Sequence, residues 1–277
     1  MDNLFTMRYD KAPDQALLLF ENLFGECPAD TSFELVAEGL SASRRNAERL
    51  LSDVRLLLDA GRLSSARFLL TTAREEVAKS YILVDTCRLD LERHHSVLRR
   101  LCRAFYHHIS KHAYLELLEF PNIKSMADAK VIWETEVKRW WPASQEDGEP
   151  DMPHDTYFDR ELPLYIDYGG YNRRWLVPTD SDQTAHFMEI FGKTPVSKME
   201  KLIEPWRKAD SIGICSAKVL SILNAIFKKH YIQEGAVWEQ LVCLYEKTAD
   251  RVKGEIGISP ELFIASPFVK WPLYHFV

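Results

Sequence analysis

The stretch Arg93-His94-His95-Ser96-Val97-Leu98-Arg99-Arg100-Leu101-Cys102-Arg103-Ala104-Phe105-Tyr106-His107-His108-Ile109-Ser110-Lys111-His112 holds five of the nine histidines in the chain. At roughly 100° per residue, Leu98, Leu101, Cys102, Phe105 and Ile109 fall on one stripe of a helix. Arg99, Arg100, Arg103, His107 and Lys111 fall on the other side, and His108 and His112 lie at or near the edge of the stripe. An apolar seam with a cationic ridge opposite describes an amphipathic helix packed on one side. The period runs on through Leu115, Leu117 and Leu118 to Phe120-Pro121, so one continuous helix is expected. The density of titratable and cationic groups also makes this stretch the first candidate for chemistry.

Outward from it, the same period recurs. Before it, Ala66, Leu69, Leu70, Ala73, Val77, Ser80, Tyr81 and Val84 mark a helix over 63–91, with Arg74, Glu75 and Lys79 on its opposite side. Glu75 and Lys79 have the spacing of a helix-surface ion pair. Earlier still, Leu35 to Ala60 forms a long helix stopped by Gly61, with Thr31-Ser32-Phe33-Glu34 as its N-terminal cap and Arg44, Arg45, Arg49 and Arg55 on a solvated face. After the histidine-rich stretch, Met126, Ala129, Ile132, Trp133, Val137 and Trp140 mark a fourth helix, ending at Pro142. Four antiparallel helices with short connections predict an all-α bundle over 30–250. Residues 1–29 read as an accessory helix from Pro13 to Phe24, and 251–277 as an apolar tail docked on the bundle. An insert at 144–180 carries an acidic loop. It also holds two short extended runs around Gly169-Gly170-Tyr171-Asn172, an irregular or β-hairpin element. Helical pattern returns at Ser181, breaks at Pro195, and resumes over 197–208, 211–231 and 238–252.

Composition narrows the function. The net charge of −6 argues against a protein that coats nucleic acid, but it leaves room for a local basic patch. The five cysteines never form a C-x-x-C pair, which points to reduced, mostly buried thiols. With neither a signal-peptide pattern nor an apolar run long enough to span a bilayer, a cytoplasmic location without membrane partners is expected.

Chemistry can then be weighed by residue type. A metal centre has one E-x-x-H copy, Glu92 with His95, and lacks the remaining ligands, so no metal or other cofactor is expected. No G-x-S-x-G elbow or glycine-rich phosphate loop is present. Metal-independent RNA cleavage needs a histidine to take the 2′-hydroxyl proton and a guanidinium for the phosphate, which Arg103 and His108 provide. On one straight helix these two point roughly 140° apart. Their meeting therefore requires a helix start or kink nearby, or completion across a two-fold interface. The plainer roles are a hydrogen-bonded core histidine for His108 and interhelix ion pairs for Glu75, Glu76 and Lys79.

Arg103-x-x-x-x-His108 resembles the R-x4-6-H motif of HEPN domains. Three further segments follow in order: Ala73-Arg74-Glu75-Glu76-Val77-Ala78-Lys79, His108-Ile109-Ser110-Lys111-His112, and Leu164-Tyr165-Ile166-Asp167 with Trp175-x-x-Pro178. Together they look like the AbiV-type abortive-infection family over roughly 35–225. The resemblance implies a HEPN-like antiparallel helical bundle in a bacterial anti-phage protein, commonly a homodimer. It also implies RNA as a possible substrate and a phage-encoded or host protein as a possible partner. Carried over, His108 is the general acid or base, Arg103 the phosphate ligand and Lys111 an electrostatic helper. Glu76 and Lys79 support from the facing helix, and His107 and His112 support from the same stretch. Ala104 stands where a polar residue often follows the arginine, which favours the alternative of a catalytically silent interaction protein.

Overall fold

The computed structural model describes residues 12–25, 27–119, 123–137, 167–169, 174–176, 193–233 and 235–276. Helix α1 (Ala12–Phe20) runs into a π-helical turn at Glu21–Gly25, and α2 (Ala29–Asp59) follows. Phe33, Val36, Leu40, Ala47, Leu50 and Val54 recur on α2 at helical spacing, and all are buried. Each of the larger of these, the phenylalanine, valines and leucines, stabilises the fold by about 1.5–3 kcal/mol. The helix opens two residues before the expected cap: Ser32 lies inside it, donating its hydroxyl to Leu23 O at 2.5 Å across the preceding turn.

Gly61, at a φ of 71° that favours glycine, turns the chain into α3 (Leu63–Thr86). The short connection makes α2 and α3 an antiparallel pair in contact along their lengths. Helix α3 is the centre of the molecule, touching α2, then α4 (His95–Tyr106) and α5 (His108–Glu119), and also α7 (Lys193–Ser211). Every residue from Ser80 to Leu89 is buried, so this part of α3 has no solvated face.

Helix α6 (Met126–Val137) packs on α5. Strands β1 (Asp167–Gly169) and β2 (Arg174–Leu176) pair antiparallel with Tyr168 opposite Trp175, the hairpin within the expected insert. The rest of that insert, the expected end of the fourth helix at Trp140-Pro142 and the helical pattern from Ser181 lie outside the described residues. Helix α7 is not interrupted at Pro195, which sits in its first turn where a missing N–H breaks no helical bond. Instead the chain turns after Ser211, at Gly213 with φ 82°, before α8 (Ala217–Phe227). Helix α9 (Trp238–Ile256) ends on Gly257 with φ 85°, and the short α10 (Pro260–Ile264) follows. The arginine face of α2 is an ion-pair seam with α7: Arg44 reaches Asp210 at 2.7 Å, Glu48 receives Arg207 at 2.8 Å, and Arg55 pairs with Glu200.

Phe268, Leu273 and Tyr274 of the last segment are buried in the bundle. Their backbone is tied to it as well. Leu273 N–H donates to Asp85 at 2.7 Å, and the Arg88 guanidinium donates to Phe268 O. No described helix is long and apolar enough to cross a membrane. The all-α, HEPN-like bundle expected from the sequence is the fold observed.

Candidate functional site

The histidine-rich stretch is two helices. Helix α4 stops at Tyr106, His107 is extended with ψ 119°, and α5 starts at His108. This break re-phases everything after it. On a continuous helix Lys111 would share the solvated ridge with Arg103; on α5 it shares one face with His108 and His112, at i, i+3 and i+4.

That face meets Glu75 of α3. His108 Nδ1 lies 2.9 Å from both carboxylate oxygens, Lys111 Nζ donates to Oε2 at 2.6 Å, and His112 Nε2 stands 3.6 Å from Oε1. His112 Nε2 is buried, and at that distance it makes no hydrogen bond among the described residues. Glu75 is 3% exposed and is therefore not the helix-surface residue its position suggested. Burial alone would raise its carboxyl. The imidazoles of His108 and His112 and the Lys111 ammonium outweigh that and hold it far below the usual carboxylate range.

The remaining expected residues divide by element. Lys79 pairs with Glu76 at 2.6 Å, rather than forming the expected pair with Glu75, and its ammonium lies 5.1 Å from the Phe105 ring centroid on α4. Arg103 is exposed in the last turn of α4, where the helix dipole favours a cation, and stands outside the Glu75 cluster. His107 is exposed, with Nδ1 2.8 Å from Ser110 Oγ and accepting the Ser110 N–H at 3.3 Å. The structure thus brings His108, Lys111 and His112 together, pairs Glu76 with Lys79, and leaves Arg103 exposed at the end of α4. Lys111 is buried and turned to Glu75, so its charge acts through that carboxylate.

Glu75 is the residue the catalytic reading of the sequence left out, and the plainer expectation of an interhelix ion pair is the one its contacts with α5 match. Its signal is the H-x-x-K-H spacing itself: three basic groups on one turn-wide face need an anion opposite. Glu92 lies in the turn before α4 and His95 opens that helix with its ring 5.7 Å from that of Phe20. Among the described residues no three His, Cys, Asp or Glu side chains converge as a metal site would need.

A second buried ionic centre lies further along α3. Asp85 accepts from Tyr114 Oη at 3.0 Å and from Leu273 N at 2.7 Å, and it pairs with Arg88. The Arg88 guanidinium stacks 5.6 Å from the Tyr245 ring centroid and 5.9 Å from that of Phe227.

Comparison with known proteins adds one match. The family model described as AbiV, of HEPN type, matches residues 35–193, more than half of the chain and inclusive of both Glu75 and the α4–α5 break. No curated protein and no solved structure matches. The chain belongs to the AbiV family of HEPN-type abortive-infection proteins.

Proposed function

We propose that this protein is a metal-independent endoribonuclease of abortive infection that works in the cytoplasm as a homodimer. The observation that carries this reading is the contact of His108 Nδ1 with Glu75. A carboxylate accepting from Nδ1 fixes the tautomer, leaves the lone pair on Nε2, and stabilises the imidazolium formed when a proton is taken up. In RNA that proton comes from the ribose 2′-hydroxyl. The 2′-oxygen attacks phosphorus, the bond to the 5′-oxygen breaks, and the ends are a 2′,3′-cyclic phosphate and a 5′-hydroxyl. Arg103 supplies forked donors for the phosphate oxygens, and Lys111 keeps Glu75 ionised. His112 lies behind the carboxylate, and the Glu76–Lys79 pair with Phe105 holds α3 to the end of α4. A two-fold axis at the α4–α5 corner would set two cationic faces together in an otherwise acidic protein.

The second reading is a catalytically silent defence protein that binds a phage or host protein. The nearly solvent-free Glu75–Lys111 pair favours it, because the same contact ties α3 to α5 whether or not chemistry follows. Purified dimer incubated with total RNA in EDTA separates the two. Cleavage with cyclic-phosphate ends, lost in His108→Ala, is expected. Intact RNA with the wild type, together with phage resistance retained by His108→Ala, would overturn the nuclease and favour the binding protein.

A further inference from the structure

Most arginines of this acidic chain are matched: Arg44, Arg49, Arg55, Arg74, Arg207 and Arg251 each pair with an aspartate or glutamate. Helix α4 is different. Arg99, Arg100 and Arg103 are exposed, Arg103 follows the other two by one turn on the same face, and none pairs with a carboxylate among the described residues. The Arg99 guanidinium lies 4.8 Å from the Phe20 ring centroid of α1. Arg100 is turned towards Tyr231: burial raises that phenol, and the charge of Arg100 pulls it back. Tyr231 joins a second set of cations to the ridge. Its ring packs 4.6 Å from that of His94, the residue before α4, and His94 Nδ1 accepts the Asp90 N–H at 3.1 Å. Tyr274 of the buried C-terminal segment stacks on Tyr231 at 5.6 Å. Immediately before Tyr231, after the end of α8, Lys228 and Lys229 are exposed and pair with no carboxylate among the described residues. Asp90 and Glu92 lie in the turn before α4, where Asp90 accepts the backbone N–H groups of Glu92 and Arg93 and stands 3.7 Å from the Arg93 guanidinium. From His94 to Arg103 the ridge rises about 14 Å along the helix axis. It ends one turn short of His108, where α5 opens.

We propose that the arginine ridge of α4 and the Lys228–Lys229 turn form a track that grips the phosphates of a single RNA strand and leads it to the α4–α5 corner. RNA as the occupant rests on the ribonuclease reading above. A cation that meets a phosphate releases counterions, whereas one already matched to a carboxylate must first give up that partner. Unmatched arginines are therefore the ones available to a polyanion, and their forked donors suit phosphate oxygens. The negative charge of the rest of the chain steers the strand towards this face. A single strand fits the chemistry at the end of the track, because in-line attack by a 2′-oxygen needs a backbone free to turn.

The test is binding of a fluorescently labelled 2′-O-methyl oligouridylate, which has no 2′-hydroxyl to attack, followed by anisotropy across a salt series with the full chain. Two double variants, Arg99→Gln with Arg100→Gln and Lys228→Gln with Lys229→Gln, each remove two contacts. Each should lower the slope of log K against log salt by about 1.4 and weaken binding on the order of tenfold at about 0.1 M salt. Arg49→Gln with Arg251→Gln removes the same charge from matched arginines elsewhere and should leave slope and affinity unchanged. Circular dichroism checks that each variant is folded. Equal weakening by all three double variants overturns the track, because total charge then explains the binding. Binding of a labelled polyglutamate in place of the RNA, weakened by the same variants, overturns it in favour of an acidic protein partner. Absence of oligouridylate binding by a wild type that cuts ordinary RNA overturns the track and leaves the nuclease standing. The expected binding pattern in a protein that cuts no RNA upholds the track and overturns the nuclease.

Discussion

Helix α3 carries two buried carboxylates, Glu75 at 3% exposure and Asp85 at 1%, and each accepts from α5. Their remaining partners differ. Asp85 is closed in by Arg88, the Tyr114 hydroxyl and the backbone of the C-terminal segment, and burial pushes its carboxyl up against the pull of Arg88. Glu75 is held far down, by two imidazoles and an ammonium that outweigh its burial. Arg88 is sealed at 3% exposure, whereas His108 opens to solvent at 32%. Burial therefore does not distinguish the two carboxylates. What does is that one of the partners of Glu75 can exchange a proton with the outside and none of those of Asp85 can.

Removing each carboxylate should show this. Asp85→Ala strands a guanidinium that cannot shed its proton and leaves Tyr114 and Leu273 unanswered. Stability should fall by about 3–5 kcal/mol in urea titration. Glu75→Gln should cost less, about 2–3 kcal/mol, because Lys111 can lose its proton where Arg88 cannot. Adding Lys111→Met to Glu75→Gln should restore part of that loss, while Arg88→Met alone should leave Asp85 buried without its countercharge and lower stability in its own right. On the ribonuclease reading proposed above, RNA-cleavage assays normalised to folded protein should reverse the order, with Glu75→Gln the more damaging change.

The two centres also part in acid. The folded Glu75 carboxyl lies well below the 4.5 of an ordinary glutamate, so its contribution is fully present above about 4.5. It is lost as pH falls towards the folded value. Below about pH 4.5, where the contacting histidines are already charged, the stability gap between wild type and Glu75→Gln should therefore narrow. A gap that widened in acid would mean that the carboxyl is raised in the folded state, as Asp85 is.

Much of this could be read from the chain, and the failures have two physical sources. The period of α2, its stop at Gly61 and the amphipathic α4 were legible because each has a solvated side. Glu75 was misplaced because α3 is wrapped by α2, α4, α5 and α7, and a helix buried all round gives no outward face on which to set a charge. The break at His107 was invisible for a different reason. Tyr106-His107-His108 contains no glycine or proline, and the stop is made by the His107–Ser110 contacts at the start of α5. Once the phase slips there, Lys111 moves from the solvated ridge to the interior. The i, i+3, i+4 spacing of His108, Lys111 and His112 was in plain sight; only its target on α3 was missing.

The smallest effect belongs to the neighbouring pair, Glu76 and Lys79, whose side chains are 12% and 20% exposed. Lys79→Met keeps the apolar stem against Phe105 and removes the ammonium from both the carboxylate and the ring. Glu76 retains access to water, so it can be solvated when its partner goes, which neither Glu75 nor Asp85 can. The expected loss is about 0.5–1 kcal/mol, and it should fade in roughly 1 M salt, where the screening length is about 3 Å. The losses at Glu75 and Asp85 should persist in the same salt, because no ion can enter between those partners. A Lys79→Met cost as large and as salt-insensitive as that of Glu75→Gln would mean that all three charges on this part of α3 form one buried network. The contrast with Asp85 would then have to be drawn around the whole E-E-x-x-K turn.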